Sequence, residues 1–247
     1  MLVVQSNLLS YKYYFQGGRV SSPTITDQIF QVIKKDILLG ILKPGQKLVV
    51  AELKERYGVG ASPIREALIK LSWNKFVCIE PQKGCWVAPV SIAELEDILD
   101  TRYTLERILL TKSMEQGDEE WELNVITSHH KLARIDDPAN PDIDYDEWEE
   151  RHNHFHLSLL SGCNSPKMLE FMENILEQMA RYRHIWVNIR LDYAQRYHDN
   201  GEHEKLMQAV LARNIPLALE LTEQHSQRAL ELMKESIRYL EKINALV

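Results

Sequence analysis

Apolar residues along this chain fall into two textures. Between residue 21 and Pro89 they come in short clusters parted by turn residues; after Pro89 they recur every three or four positions. In the first texture, the stretch from Thr26 to Leu39 predicts a helix closed by Gly40. Val50 to Tyr57 predicts a short helix ending at Gly58. Ser62-Pro63 predicts the start of another, with Ser62 as N-cap and Pro63 at the first helical position, where a missing N–H costs nothing. Ile64, Leu68 and Leu71, with Ala67 beside them, then share one face and leave Arg65 and Lys70 free. Phe76 to Ile79 and Cys85 to Val87 are strand-like runs around a hairpin tip, Pro81-Gln82-Lys83-Gly84. Two helices joined by a tight Gly turn and followed by a hairpin make a winged helix-turn-helix, a module that binds double-stranded DNA.

The second texture is helical throughout. Ser91 can cap a helix with the stripe Leu95, Ile98, Leu99, Leu105 and Leu109, broken at Gly117-Asp118. Helical periodicity continues over 119–134, 144–160, 166–189, 192–212 and 216–240, with breaks at 136–141, Gly162 to Ser165 and Arg213 to Ile215. Six such segments pack as an antiparallel bundle. The expected fold is therefore mainly α: a winged helix-turn-helix over 21–89 and an all-helical bundle over 90–247. Residues 1–20 are a tail- or tag-like segment outside this logic.

Charge divides the same way. The whole chain is acidic, at −7 with histidine neutral, which on its own argues against a polyanion partner. Residues 1–90, however, carry 12 basic and 6 acidic side chains, and the remainder 17 and 30. A positive module on an acidic body is the asymmetry expected when one part meets phosphate. Three scattered cysteines make no disulfide framework; Cys78 and Cys85, which flank the tip, are expected as reduced thiols in a cytoplasmic protein. No apolar run approaches the ~20 residues of a membrane span, so no membrane partner is expected.

Histidine carries the next signal. All nine lie after residue 128. His152 and His156 are four apart on one helix and share a face with Trp148, Phe155, Leu159 and Leu160, while His154 points away. His203 shares a face with Leu206 and Val210, and His225 sits between Leu221 and Ala229. One histidine on an apolar face is ordinarily a hydrogen-bonded core residue. Four on the inward faces of three helices can converge, and their imidazole nitrogens suit a divalent transition ion such as zinc or nickel.

Arg102 lies on the same stripe as Leu95, Leu99, Leu105 and Leu109, where an unpaired charge would cost several kcal/mol. It needs an anion. Glu106, one turn on, or another bundle carboxylate is one candidate; a ligand carboxylate gripped by the guanidinium is the other. Arg181, Tyr182, Arg183 and Trp186 offer further polar and aromatic lining, with Tyr182 and Arg183 as candidate effector contacts.

These residues carry a resemblance. Gly40-Ile41-Leu42-Lys43-Pro44-Gly45-Gln46-Lys47-Leu48, then Ser62-Pro63-Ile64-Arg65-Glu66-Ala67-Leu68, then Gly84, resemble the GntR family of bacterial transcription regulators. The helical half resembles the FCD ligand-binding domain of its FadR subfamily. The resemblance implies a homodimeric, usually repressing regulator on a palindromic DNA operator, released by a small carboxylate, with a C5 dicarboxylate as the candidate. It implies metal ligands at His152, His156, His203 and His225 and an effector-gripping arginine at Arg102. His152 stands where the family commonly has Asp, which removes a negative charge and an oxygen ligand. Ala61 replaces an arginine the family often places before its Ser/Thr-Pro, so DNA contact is expected from Ser62, Arg65, Lys70, Gln82, Lys83 and Gly84. The alternative function is a helical metalloenzyme acting on a small carboxylic acid. It lacks a His-Glu-x-x-His and a carboxylate placed as general base beside the histidine pair, and it leaves the winged module without a role.

Overall fold

The structure is a computed structural model that describes residues 22–135, 144–188 and 201–244. The tail over 1–20, the expected loop at 136–141, the expected helical stretch 192–200 and the side chain of Trp186 lie outside the described residues.

Helix α1 (Ile25–Leu38) starts at a capping box in which the Thr24 hydroxyl accepts from the Asp27 N–H and the Asp27 carboxylate accepts from Thr24 N. Ile29, Ile33 and Ile37, four apart, form its buried stripe. Helix α2 (Val50–Tyr57) closes on Gly58 at φ 66, in the left-handed conformation that glycine adopts without strain. Helix α3 (Ala61–Trp73) begins two residues earlier than expected. Gly60 is the N-cap, so Ser62 sits inside the first turn rather than before it, and Pro63 at its third position rather than its first. Pro63 is tolerated there because the first four N–H groups of a helix have no intrahelical acceptor. Freed from capping, the Ser62 hydroxyl donates to Glu66 Oε1 at 3.0 Å.

Strands β1 (Val77–Glu80) and β2 (Gly84–Val87) pair antiparallel from Val77↔Val87 to Glu80↔Gly84. Cys78 faces Trp86 and Cys85 faces Ile79, so the two thiols project from opposite faces; Cys78 is exposed and Cys85 buried. Burial pushes the Cys85 thiol up to about 11. Ile33, Ile64, Leu71, Phe76 and Val87 meet in one core under the three helices and the hairpin.

A second core fills the bundle. Its elements are α4 (Ile92–Gln116), α5 (Glu119–Ala133), α6 (Tyr145–Leu160), a 3-10 turn (Ser161–Cys163), α7 (Pro166–Asn188), α8 (Glu202–Leu211) and α9 (Ile215–Asn244). Ser91 caps α4 through the Glu94 N–H, Asp118 caps α5 and Asp144 caps α6. Helix α4 is central, packing against α6, α7, α9 and the 3-10 turn. Of its expected stripe, Leu95, Ile98, Leu99 and Leu109 are buried and Leu105 half-buried. None of the helices among the described residues is long and apolar enough to cross a membrane.

The end of α4 is a tight joint. Arg213 donates to the carbonyls of Met114 and Gly117, each at 2.9 Å, and lies over the Trp121 ring at 4.5 Å. A Cβ on Gly117 would collide with that ring and stand 2.6 Å from Ser113 O, a backbone atom that cannot yield cheaply. Gly117→Ala should therefore destabilise the bundle by about 1–3 kcal/mol. A denaturant midpoint equal to that of the parent would show that the joint relaxes.

Candidate functional site

Helix geometry places His152 and His156 on one face of α6, stacked against Trp148, whose ring lies 4.6 Å from that of His152. Helix α8 brings His203 and α9 brings His225. All four are buried, and one ring nitrogen from each lies within 4.8 Å of the others. The Nε2 atoms of His152 and His156 are 3.2 Å apart. An ion 2.0–2.1 Å from two nitrogens holds them about 3.0–3.4 Å apart, so this spacing fits. The Nδ1 atoms of both rings are buried without a hydrogen-bond partner. Burial keeps His152 and His156 well below the ordinary 6.5, helped by repulsion from neighbouring cations, and takes His225 to about 4. Neutral imidazoles keep the lone pairs that a metal ion requires, and their nitrogen-only donor set suits a transition dication rather than magnesium or calcium. As expected, His154 stays out of the cluster.

Arg102 and Glu106, one turn apart on α4, lie beside this cluster and are both 98% buried. Arg102 Nη2 donates to Glu106 Oε1 at 3.3 Å and Nη1 donates weakly to Met179 Sδ at 3.7 Å, while Nε lies 3.3 Å from Glu106 Oε2 without the alignment of a hydrogen bond. A guanidinium offers five N–H donors. This one is paired with Glu106 but under-used. It faces a cavity of about 30 Å³ lined also by Trp148, His152, Met179, Arg183, His225 and Met233. That is room for about two waters; a larger guest requires the flexible Met179 and Met233 to move aside.

The other effector candidates differ. Arg183 lines the cavity, but its Nε donates to both Glu149 oxygens at 3.0 Å and its Nη2 to Asn153 Oδ1 at 3.0 Å. That guanidinium already has its carboxylate. Tyr182 is not at the cavity: its hydroxyl donates to Glu94 at the start of α4. Adjacent helical residues point about 100° apart, so Tyr182 and Arg183 cannot face the same way. Arg181 also turns from the cavity, donating to the carbonyls of Lys75 and Pro89 and, at 2.9 Å, to Glu94 Oε2. With Glu177, which pairs with Lys34 at 3.1 Å and accepts from Asn74, it ties α7 to the winged module.

On that module, Arg65 is exposed and makes no ion pair among the described residues. Lys70 is not free as expected: its Nζ lies 2.6 Å from Asp27 Oδ1 on α1, and this bond helps hold the Asp27 carboxyl down to about 2. The α1–α3 packing claims that face of the helix. Gln82 and Lys83 are exposed at the tip, Lys83 in a solvent-facing pair with Glu80 at 2.9 Å that is worth only ~0–1 kcal/mol and yields readily to phosphate. Gly84, at φ 141, leaves room for Lys47 and the Trp86 ring, each 3.3 Å from where its Cβ would stand. Lys47, whose Nζ rests 5.6 Å from the centre of the Trp86 ring, is a wing cation that sequence reasoning missed, since it precedes α2 and pairs with β2 only through the tertiary fold.

Comparison with known proteins agrees with both halves. Residues 25–87 match the family described as bacterial regulatory proteins, gntR family, and residues 97–228 match the FCD domain. The chain is similar to the HTH-type transcriptional repressor GlaR of Escherichia coli K12, 34% identical over 84% of this chain and 95% of that protein. It is 32% identical, over 86% of each chain, to BphR, an HTH-type transcriptional regulator of Paraburkholderia xenovorans LB400. The solved structure of E. coli McbR/YncC shares the fold, with a TM-score of 0.67 at 21% identity over 87% of this chain and 99% of that one.

Proposed function

This chain belongs to the gntR family and is a DNA-binding transcription regulator with an FCD effector domain, and we propose that it is a metal-containing repressor released by a small carboxylate. The observation that carries this reading is the buried four-histidine cluster, two of whose rings, His152 and His225, line one cavity with the under-used Arg102. His152, His156, His203 and His225 would hold a divalent ion, zinc or nickel in character, which when bound would supply a Lewis-acid centre for a carboxylate oxygen. Arg102 grips the same carboxylate with the donors that Glu106 leaves unused. Within the family, Asp146-Glu147-Trp148, Arg151-His152, Phe155-His156 and Ala180-Arg181-Tyr182-Arg183 resemble the carbon-starvation-induced regulator CsiR, and from that likeness we infer a C5 dicarboxylate such as glutarate.

Helix α7 supplies a route from effector to DNA. Met179 and Arg183 face the cavity, and Glu177 and Arg181, on another side of the same helix, hold the winged module. A guest that displaces Met179 shifts the helix on which that module rests. In a homodimer, such a shift changes the spacing of two recognition helices on a palindromic operator. Arg65 then reads a base edge, while Gln82, Lys83 and Gly84 meet the minor groove or backbone. Arg65→Ala should weaken operator binding by about 1–3 kcal/mol if Arg65 pairs with guanine. Unchanged footprinting protection would remove it from the interface. The metalloenzyme alternative leaves the winged module without a purpose, and the relatives are regulators.

A further inference from the structure

The four histidines are neutral ligands, so a dication among them needs negative charge from elsewhere. Among the described residues, two carboxylates stand against the cluster histidines. Glu106 stands 4.0 Å from His156 Nδ1 but shares its charge with Arg102. Glu202 is the first residue of α8, directly before His203, and its Oε2 lies 2.9 Å from His225 Nδ1 on α9. Its other oxygen accepts from Arg228, one turn further along α9, which fixes the carboxylate plane.

We propose that Glu202 is the charge-compensating carboxylate of the metal site, acting through His225 as a positioning residue. The inference rests on the metal reading above. Because Nδ1–H of His225 points to Glu202, Nε2 is the nitrogen left to face the cluster, so the ring's tautomer and orientation are set before any ion arrives. A carboxylate on the rear nitrogen also makes the imidazole a stronger donor and brings negative charge to the ion without occupying a coordination position. The inner sphere then stays open for an effector carboxylate. The same contact joins α8 to α9, since the first turn of α8 carries both a ligand and the carboxylate that orients a ligand from the next helix. Gly201, at φ 73 with nothing within 4 Å of a built Cβ, lets the chain enter α8 at that angle.

The test is cobalt binding to metal-stripped full-length protein, followed by its ligand-field spectrum and by competition with a chromophoric chelator. Glu202→Ala should weaken Co²⁺ affinity 10- to 100-fold, with the cobalt band unchanged in shape once the site is saturated. Glu202→Gln, which can still accept from Nδ1–H but carries no charge, should recover part of that loss. In chelator, the thermal midpoint of Glu202→Ala should fall by a few degrees and that of Glu202→Gln by less, because the contact with His225 and Arg228 joins α8 to α9. Unchanged affinity in Glu202→Ala, with the parent binding one ion, overturns the role of Glu202 and leaves the metal site intact. An altered band in that variant overturns it by making Glu202 a direct ligand. A parent chain that takes up no cobalt removes the metal reading, and this inference with it.

Discussion

Chelation of ion-loaded protein should lower its thermal midpoint by on the order of 10 °C. The estimate follows from linkage: a ligand of the folded state present at a thousand times its Kd contributes about 4 kcal/mol, and each kcal/mol moves the midpoint of a domain this size by about 2–4 °C. His152 and His156 bury Nδ1 atoms without hydrogen bonds, and burial holds both rings neutral. His156→Ala should bring the metal content well below one ion per chain and abolish the chelator effect on the midpoint. Elemental analysis of metal-replete parent protein finding well under one ion per chain would falsify the site. A full complement in His156→Ala would move it elsewhere in the bundle.

Loss of the Arg102 guanidinium should reduce carboxylate affinity by about 2–5 kcal/mol, the usual effect of removing one partner of a buried charge pair. The parent, titrated calorimetrically with C2–C6 mono- and dicarboxylates, identifies the best ligand for the comparison, with glutarate the expected one. Arg102→Met alone leaves Glu106 buried without its cation, which costs about 3–5 kcal/mol of stability. The double variant Arg102→Met, Glu106→Gln removes both charges and should keep the fold while still failing to bind. Retained affinity in the double variant would mean that Arg102 serves Glu106 only and that the effector is held without it.

Much of this site can be read in the linear chain because a helix converts spacing into direction. His152 and His156 share a face wherever α6 is placed, and the apolar neighbours of His203 and His225 already say which side of α8 and α9 turns inward. Arg102 on a leucine stripe is legible for the same reason. What failed was inference from adjacency. Arg181, Tyr182 and Arg183 are consecutive and were expected together, yet only Arg183 reaches the cavity, and it arrives already paired with Glu149. Lys70 is on the polar side of α3, but that side meets Asp27 of α1. Ser62 has the chemistry of a cap, yet Gly60 adopts the extended conformation that starts the helix, at φ −68 and ψ 168.

The sequence by itself determined the two textures, the helical elements, the break points at Gly58 and Gly117, the identity of the four imidazoles and the need of Arg102 for an anion. Each follows from rules acting over a few residues: side-chain period, glycine conformation, the cost of buried charge. Only the tertiary structure decided that three helices bring the imidazole nitrogens within 4.8 Å of one another and that Glu202 stands behind His225. It also decided that α7 touches both the cavity and the winged module. Those are contacts between residues up to 143 positions apart. They depend on how whole helices settle ridge into groove, and periodicity fixes the face a helix buries but not the neighbour that covers it.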